Sequence, residues 1–239
     1  IGGITTFTKG GDALFGNPAG LFDNSDLKKA FIITGYTNFW GISEMTEVSV
    51  GGGYRTDFGT LGISFKNFGD ADFYAEQSFG LDYANCYRDK FSYGVRFILA
   101  SLNQGEYGTF STPMFDIGLI WRATDIIHAG FQWHNITSSK LHDDEDKAYS
   151  PYSLGVEIEP LDWASVYFDA QSYESDKFRL RVGQKIFLHE SVAMKMGISG
   201  SPDKLHMGIE VRKYDFNLSY NVAYHSELGI TNHFVLKYE

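Results

Sequence analysis

The feature that most constrains this chain is a repeated unit in which apolar and polar side chains alternate, followed by a short break. In residues 216–224 every even-numbered position is large and apolar, and the odd-numbered positions are asparagine, serine or alanine. Residues 127–134, 152–159, 192–199 and 205–212 alternate in the same way. Alternation with a period of two residues is typical of a β-strand with one apolar face. Five strands can therefore be assigned from alternation alone.

The same pattern extends over nearly all of the chain after residue 28 and predicts an all-β fold. Only five prolines interrupt it, and 16% of the residues are aromatic, which suits regular strands. The fourteen predicted strands are 29–38, 46–56, 59–67, 76–87, 90–100, 112–123, 126–135, 149–159, 162–171, 177–187, 190–199, 204–213, 215–224 and 229–238.

The connections between these strands are of two kinds. Those after even-numbered strands are tight turns, whereas several after odd-numbered strands are longer and polar, at 67–76, 101–111 and 135–150. Short turns at one rim and longer loops at the other are typical of an outer-membrane barrel, and a β-sandwich distributes its loops less regularly. The acidic run Asp143–Asp146 is predicted to be a solvated loop, because it lacks the alternating ligand spacing of a calcium-binding loop.

Charged residues fall almost entirely on one face of the predicted strands. A packed core could not hold so many charges at alternating positions, but a water-filled lumen can, with opposite signs paired across neighbouring strands. The opposite, apolar faces are then expected to contact lipid. The inward-facing charges are Arg55, Lys66, Asp82, Arg96, Asp116, Arg122, Glu157, Glu159, Asp169, Arg179, Arg181, Lys185, Lys195, Glu210, Arg212 and Lys237. Those taken as candidate site residues are Arg96, Asp116, Arg122, Glu157, Asp169, Arg179, Arg181, Glu210 and Arg212.

The stretch Gly10–Leu21 fits neither a helix nor a strand, because four glycines and a proline break both periodicities. With strands ~4.8 Å apart and tilted by about 40°, fourteen strands enclose a bore roughly 28 Å across. Side chains cannot fill that width, so the barrel is either an open pore or plugged by another segment. We therefore divide the chain into a plug, residues 1–28, and a barrel, residues 29–239. The candidate site residues of the plug are Asp12, Asn17, Pro18 and Gly20.

Parts of the sequence resemble a known family. Gly11–Leu21, with Asn17-Pro18-Ala19-Gly20, resembles the N-terminal hatch of FadL-like outer-membrane proteins, which carries an Asn-Pro-Ala-Gly signature. Phe58–Asp70 and Leu218–Phe234 are similar to the third strand and the last hairpin of the PorV/PorQ branch, which is associated with type IX secretion. This resemblance covers essentially the whole chain. It implies a fourteen-stranded barrel with a plug on the periplasmic side, in a Gram-negative outer membrane. The chain is shorter than typical members, mainly in its loops.

Other classes of protein are disfavoured by composition and motifs. A net charge of -10 argues against nucleic-acid binding, and Cys86 alone cannot form an internal disulfide or a cysteine metal cluster. Neither His-Glu-x-x-His nor Gly-x-Ser-x-Gly occurs, so we expect no enzyme activity, metal or cofactor. His128, His134 and His206 are expected to be ordinary hydrogen-bonding groups of the lumen. The start at Ile1 without Met fits an exported protein whose signal peptide is removed, or a trimmed chain.

Two functional hypotheses remain, beside a barrel that is only a scaffold. The main one is an accessory subunit of a protein secretion or surface-attachment complex, because short outer loops leave room for a protein partner to dock. The alternative is a FadL-like channel for small hydrophobic molecules, in which the hatch moves or the wall kinks toward lipid at Gly51–Gly53. Expected partners are outer-membrane lipid and a protein of the complex, or a small hydrophobic ligand.

Overall fold

The computed structural model describes residues 3–22, 29–70, 73–140, 149–174, 177–200 and 204–239. They form a closed antiparallel barrel of fourteen strands in chain order, in which the first strand pairs with the last. This confirms the predicted fold class. The strands are β1 Ala30–Asn38, β2 Thr46–Thr56, β3 Gly59–Asp70, β4 Tyr74–Tyr87, β5 Phe91–Asn103, β6 Thr109–Arg122, β7 Ile127–Trp133, β8 Tyr152–Leu161, β9 Ala164–Glu174, β10 Lys177–His189, β11 Val192–Ser199, β12 Lys204–Lys213, β13 Phe216–His225 and β14 Gly229–Tyr238. No helix among the described residues is long and apolar enough to cross a membrane.

The turns after even-numbered strands are short, as predicted, and they share one rim with the end of β14. We call this rim the inner rim and the opposite one the outer rim. At the outer rim the long connections predicted at 67–76 and 101–111 are wrong, because only residues 71–73 and 104–108 lie between the strands. The third long connection is present at 134–151, and its acidic run lies outside the described residues.

Polar cross-strand pairs explain why these hairpins extend further than the apolar alternation predicts. The Gln77 amide donates a hydrogen bond of 3.0 Å to Asn67 Oδ1 across the β3–β4 hairpin. The hydroxyls of Ser101 and Ser111 lie 2.7 Å apart across the β5–β6 hairpin. Such pairs stabilise a sheet without burying apolar surface, so the ladder continues beyond the apolar band.

The outer face of the barrel is apolar on every strand. Large side chains such as Ile32, Leu99, Leu119 and Phe168 lie on it with more than two fifths of their surface exposed. Near the inner rim the rings of Phe91 and Trp121 stack at 6.0 Å on adjacent strands. A continuous exposed apolar band with aromatic residues at its edge is the surface that a barrel presents to lipid.

The inner face carries the charges, and they pair across neighbouring strands as predicted. Arg96 of β5 lies opposite both Asp82 of β4 and Asp116 of β6, and its Nε donates to Asp82 Oδ1 at 2.7 Å. Arg181 of β10 lies opposite Asp169 of β9, with Nε and Oδ1 2.6 Å apart. These groups are almost completely buried, so each carboxylate depends on its partner for compensation of its charge.

No bulge interrupts β2 at Gly51–Gly53, where the sequence suggested a kink of the wall. Strand β2 pairs with β1 and β3 through these glycines without any shift of register, and the shifts among the described strands lie in the β8–β9, β9–β10 and β10–β11 pairs. The inward-facing positions instead leave space for neighbouring side chains. A Cβ on Gly51 would collide with Leu14, and one on Gly53 would collide with Phe31. Packing inside the lumen therefore accounts for these glycines.

Candidate functional site

The described part of the hatch segment, residues 3–22, lies inside the barrel. It contains two short 3₁₀ helices, Gly10–Phe15 and Pro18–Leu21, which pack against β1–β3 and β4–β6 respectively. Leu14 and Leu21 are 1% exposed and form an apolar cluster with residues of the wall. The wall members of this cluster are Phe31, Ile33, Ala84 and Val235. Apolar packing therefore holds the hatch segment on one side of the lumen.

Asn17 is the polar centre of the hatch segment. Its side chain is completely buried, its Oδ1 accepts a hydrogen bond of 3.0 Å from the Ala19 amide, and its Nδ2 donates to the carbonyl of Thr6 at 2.8 Å. The same Nδ2 donates to the carbonyl of Phe131 on β7 at 3.1 Å. Asn17 caps the second 3₁₀ helix and Pro18 is its first residue, a position where a missing N–H has no cost. The carboxamide thus joins two parts of the hatch to the wall.

Inward-facing glycines of the wall form the surface on which the hatch segment lies. We call Gly62, Gly94, Gly118, Gly130 and Gly155 the glycine patch; a Cβ on any of them would overlap an atom of the hatch. Gly94 pairs directly with Gly118, and Gly130 pairs with Gly155. This surface was not predicted from the sequence, although glycines at inward positions of β3 and β5–β8 are a visible signal. Within the hatch, Gly20 allows an equally close approach to the carbonyl of Thr8.

Two buried arginines of the wall donate to backbone carbonyls of the hatch segment. Arg96 donates through Nη1 to the carbonyl of Gly16 at 3.1 Å and through Nη2 to that of Ala13. Arg181 donates through Nη1 to the carbonyl of Gly3 at 2.6 Å. Asp169, which pairs with Arg181, also accepts a hydrogen bond from the Thr6 hydroxyl. A planar guanidinium has five N–H donors in a fixed arrangement, so each arginine can donate hydrogen bonds to its carboxylate and to the hatch at the same time.

Asp12 connects the hatch segment to the last strand. Lys237 Nζ lies 2.9 Å from Asp12 Oδ2, and the Gly11 amide donates to the Glu239 carboxylate at 3.1 Å. Desolvation inside the barrel raises the pKa of Asp12, but the ammonium groups of Lys237 and Lys195 lower it more, so this pKa lies below its ordinary value. The carboxylate is therefore ionised, and the ion pair is formed, at neutral pH.

A third ionic contact joins Lys9 of the hatch to the wall. Lys9 Nζ lies 3.2 Å from Glu157 Oε1 and 3.4 Å from Glu159 Oε1. His128 Nδ1 lies 2.9 Å from the other oxygen of Glu157, which accepts the hydrogen bond. The ligand atoms of His128, Glu157 and Glu159 all lie within 4.8 Å of one another, a grouping that no sequence motif reveals because it forms across two strands. A cation at this position is already supplied by Lys9.

Of the other predicted lumen residues, Lys66 lies over the ring of Phe15 and Arg55 over that of Phe22, and several more have their partners in the wall. His134 lies 2.9 Å from Asp116, His206 lies 3.2 Å from Ser199, and both histidines are hydrogen-bonding groups of the wall as expected. Arg122, near the inner rim, donates to the Ser92 hydroxyl at 3.1 Å. Arg179 faces inward beside Arg181, and Glu210 forms an ion pair with Arg212.

The hatch segment fills only one side of the bore and leaves a cavity of about 900 Å³. The cavity lies between the hatch and the inner face of β8–β14 and β1–β3. Its lining extends from Glu47 and Lys66, close to the outer ends of β2 and β3, to Asp215 and Glu239 at the inner rim. The predicted plug is therefore a partial one, and we call the cavity beside it the passage.

Solved structures with the same fold were found by comparison of the whole chain. The Pseudomonas putida toluene transporter TodX superposes with a TM-score of 0.70 at 11% identity, covering 98% of this chain and 93% of that one. A Pseudomonas aeruginosa FadL homologue superposes with a TM-score of 0.65 at 13% identity, covering 99% of this chain and 95% of that one. No family model and no curated protein matches the sequence. At such low identity these similarities show a shared barrel fold.

Proposed function

We propose that this protein is a FadL-like channel of a Gram-negative outer membrane that admits small hydrophobic molecules. The observation that carries the proposal is the cavity beside the hatch segment, which extends from the outer part of the barrel to the inner rim. Its volume of about 900 Å³ is in the range of pockets that hold small organic ligands. A solute in this passage would move between the hatch and the wall without crossing the apolar cluster.

The hatch side of the passage offers an apolar surface. Ile4, Phe7 and Phe15 of the hatch line it, and Tyr167 and Phe187 contribute aromatic surface from the wall. Aromatic and aliphatic side chains bind apolar solutes mainly by removing their surface from water. The fold that this chain shares with a toluene transporter adds support, because that protein also carries a small apolar solute.

Uptake into proteoliposomes tests this function. We expect vesicles with the folded protein to take up labelled toluene faster than empty vesicles, and Phe15→Glu to reduce the difference because it places a charge on the apolar side of the passage. Phe15→Leu is the matched control, since it keeps the apolar surface. Equal uptake by protein-containing and empty vesicles would contradict the proposal.

The low outer rim favours a second candidate, the accessory subunit of a secretion or surface-attachment complex in the PorV/PorQ branch. Only residues 71–73, 104–108 and 226–228 connect three of the outer hairpins, so most of this rim offers an open platform to a protein partner. Purification in a mild detergent distinguishes the two candidates. A stoichiometric complex together with no toluene uptake would favour the accessory role over the channel.

A further inference from the structure

The charges that line the passage balance one another. Six lysine or arginine side chains and six carboxylates belong to its described lining. Lys66 lies 3.2 Å from Glu47 near the outer end, and Lys237 lies 2.9 Å from Asp12 deeper in the barrel. An ion that entered would lose hydration without meeting an excess of opposite charge, and such a loss is costly. The passage therefore favours uncharged solutes.

Two uncharged polar side chains, Asn221 and His233, stand side by side on the wall of the passage. Asn221 of β13 is the direct cross-strand partner of His233 of β14, and both are half-buried residues of the lining. His233 Nδ1 lies 2.7 Å from the hydroxyl oxygen of Thr37 on β1. This contact fixes the imidazole ring and leaves its Nε2 for another partner. We call Asn221 and His233 the amide–imidazole pair.

The amide–imidazole pair has hydrogen-bonding capacity that the described residues do not use. Among them, no group donates to or accepts from the carboxamide of Asn221. Its Oδ1 lies beside Gly208, whose lack of a side chain makes room for it. A carboxamide offers two N–H donors and an acceptor oxygen, and the imidazole Nε2 adds one further position. A hydroxyl group that reaches the pair therefore finds both donors and acceptors.

Phe15 and Ile33 provide an apolar surface next to the pair. The ring of Phe15 reaches β2, because a Cβ on Gly51 would lie 3.5 Å from Phe15 Cζ. Strand β1, which carries Ile33 and Gly35, separates β2 from β14. As a glycine, Gly35 has no side chain that would project into the passage beside His233. With neighbouring strands ~4.8 Å apart, β2 and β14 are about 10 Å apart, a distance that a benzene ring with one hydroxyl group can bridge between side chains.

We propose that the amide–imidazole pair is a binding subsite for the hydroxyl group of a phenol, and that it makes the passage prefer uncharged phenols to hydrocarbons of the same size. This inference rests on the proposed function and specifies its substrate class. A hydroxyl group that leaves water loses hydrogen bonds, and the cost is offset only where protein groups replace them. The carboxamide and the imidazole replace them while the ring of the solute contacts Phe15 and Ile33.

Calorimetric titration of the folded protein in detergent, corrected for partition into protein-free micelles, tests this preference without transport. The matched probes are p-cresol and toluene, which differ by one hydroxyl group, and p-cresol is uncharged at neutral pH. We expect p-cresol to bind about fivefold more tightly, the effect of one net hydrogen bond. Equal binding of the two, or tighter binding of benzoate than of p-cresol, would overturn the inference. Toluene uptake by proteoliposomes together with equal binding would leave the proposed function intact, whereas preferential binding without uptake would contradict that function alone.

Variants of the pair identify the residues responsible. Asn221→Leu keeps the approximate volume but removes the carboxamide, so it is expected to abolish the preference for p-cresol over toluene. Asn232→Leu is the matched control and should keep the preference, because Asn232 lies on the outer face of β14 and accepts a hydrogen bond of 2.8 Å from the Tyr220 hydroxyl. If Asn221→Leu does not migrate as a folded, heat-modifiable barrel, His233→Phe replaces it. A wild-type preference in a folded variant of the pair would show that these residues are not the subsite.

Discussion

The carboxamide oxygen of Asn17 occupies the space that a Cβ atom would need on Gly118. Pro18 stands in the same relation to Gly94, the cross-strand partner of Gly118. The hatch segment and the wall are therefore complementary in shape at these positions. A larger side chain on either surface would collide with the other.

A side chain at Gly118 should displace the hatch segment without destroying the barrel. Gly118→Ala forces Asn17 out of its position, and overpacking of this kind typically costs about 1–3 kcal/mol. We expect faster swelling of proteoliposomes in a small sugar and a lower thermal midpoint. Gly208→Ala is the control, since a Cβ there meets Asn221 of the wall and no atom of the hatch. Equal swelling of the two variants would contradict the role of the glycine patch.

Removal of the Asn17 carboxamide should loosen the hatch segment from within. Asn17→Ala removes the donor to the buried carbonyl of Thr6 and to the part-buried carbonyl of Phe131, and leaving a buried group unpaired costs about 1–3 kcal/mol. Hydrogen exchange of residues 3–22 should then be faster. Asn221→Ala removes a carboxamide on the opposite side of the cavity and should leave this exchange unchanged. Protection equal to that of the wild type would show that Asn17 is not the centre of the hatch.

The ion pair between Asp12 and Lys237 should hold the hatch segment against β14 over most of the pH range. Because the pKa of Asp12 in the folded protein is below its ordinary value of 3.8, the stabilisation is complete above that value and is lost as the pH falls through the lowered pKa. We therefore expect the same sugar permeability at neutral and mildly acidic pH and an increase only in strong acid. The variant Asp12→Asn should have, at all pH values, the higher sugar permeability that the wild type has only in strong acid.

A charge exchange separates this ion pair from nonspecific effects of substitution. The single variants Asp12→Lys and Lys237→Asp should both be leaky, because each brings like charges together. The double variant restores opposite charges and should recover part of the wild-type permeability. No recovery in a folded double variant would show that the contact does not hold the hatch.

Loss of Arg96 should destabilise the barrel as well as the hatch segment. Arg96→Met leaves Asp82 buried without its cation and leaves Asp116 with only His134 and the Asn135 amide, and breaking a buried pair costs about 3–5 kcal/mol. Arg96→Lys should retain part of the stability but lose the contacts with Gly16 and Ala13. Both effects are measured as the incubation temperature at which the barrel unfolds and its migration on a gel changes. Arg122→Met, near the inner rim, is the control and should shift that temperature much less.

The barrel could be predicted from the sequence, because the alternation of apolar and polar side chains along a strand is a local signal. A period of two residues fixes the face of each side chain, so alternation alone assigns Arg96, Asp116 and Arg181 to the inner face of the wall. The outer hairpins could not be predicted, because polar pairs such as Asn67 with Gln77 extend the ladder without apolar alternation. There the pattern indicates where the lipid contact ends and not where the strand ends.

The candidate site could not be predicted from the sequence, because its contacts join residues that are far apart in the chain. Asp12 and Lys237 are 225 positions apart, and no short motif joins them. His128, Glu157 and Glu159 come together only when β7 pairs with β8. The inward glycines are a visible signal, but a glycine in a strand permits a bulge or kink as well as a close approach of another segment, so the pattern alone does not identify a docking surface.

The position of the hatch segment has a consequence for the order in which the protein assembles. Leu14 packs against Phe31 and Ile33 of the first strand, and Asp12 contacts Lys237 of the last strand, on the two sides of the seam where β1 meets β14. This binding surface does not exist until the seam has closed. Contacts between such distant parts of a chain form slowly, because loop-closure entropy is lost before they contribute. The residues at the start of the chain are therefore expected to reach their native positions last, after the final strand has completed the wall.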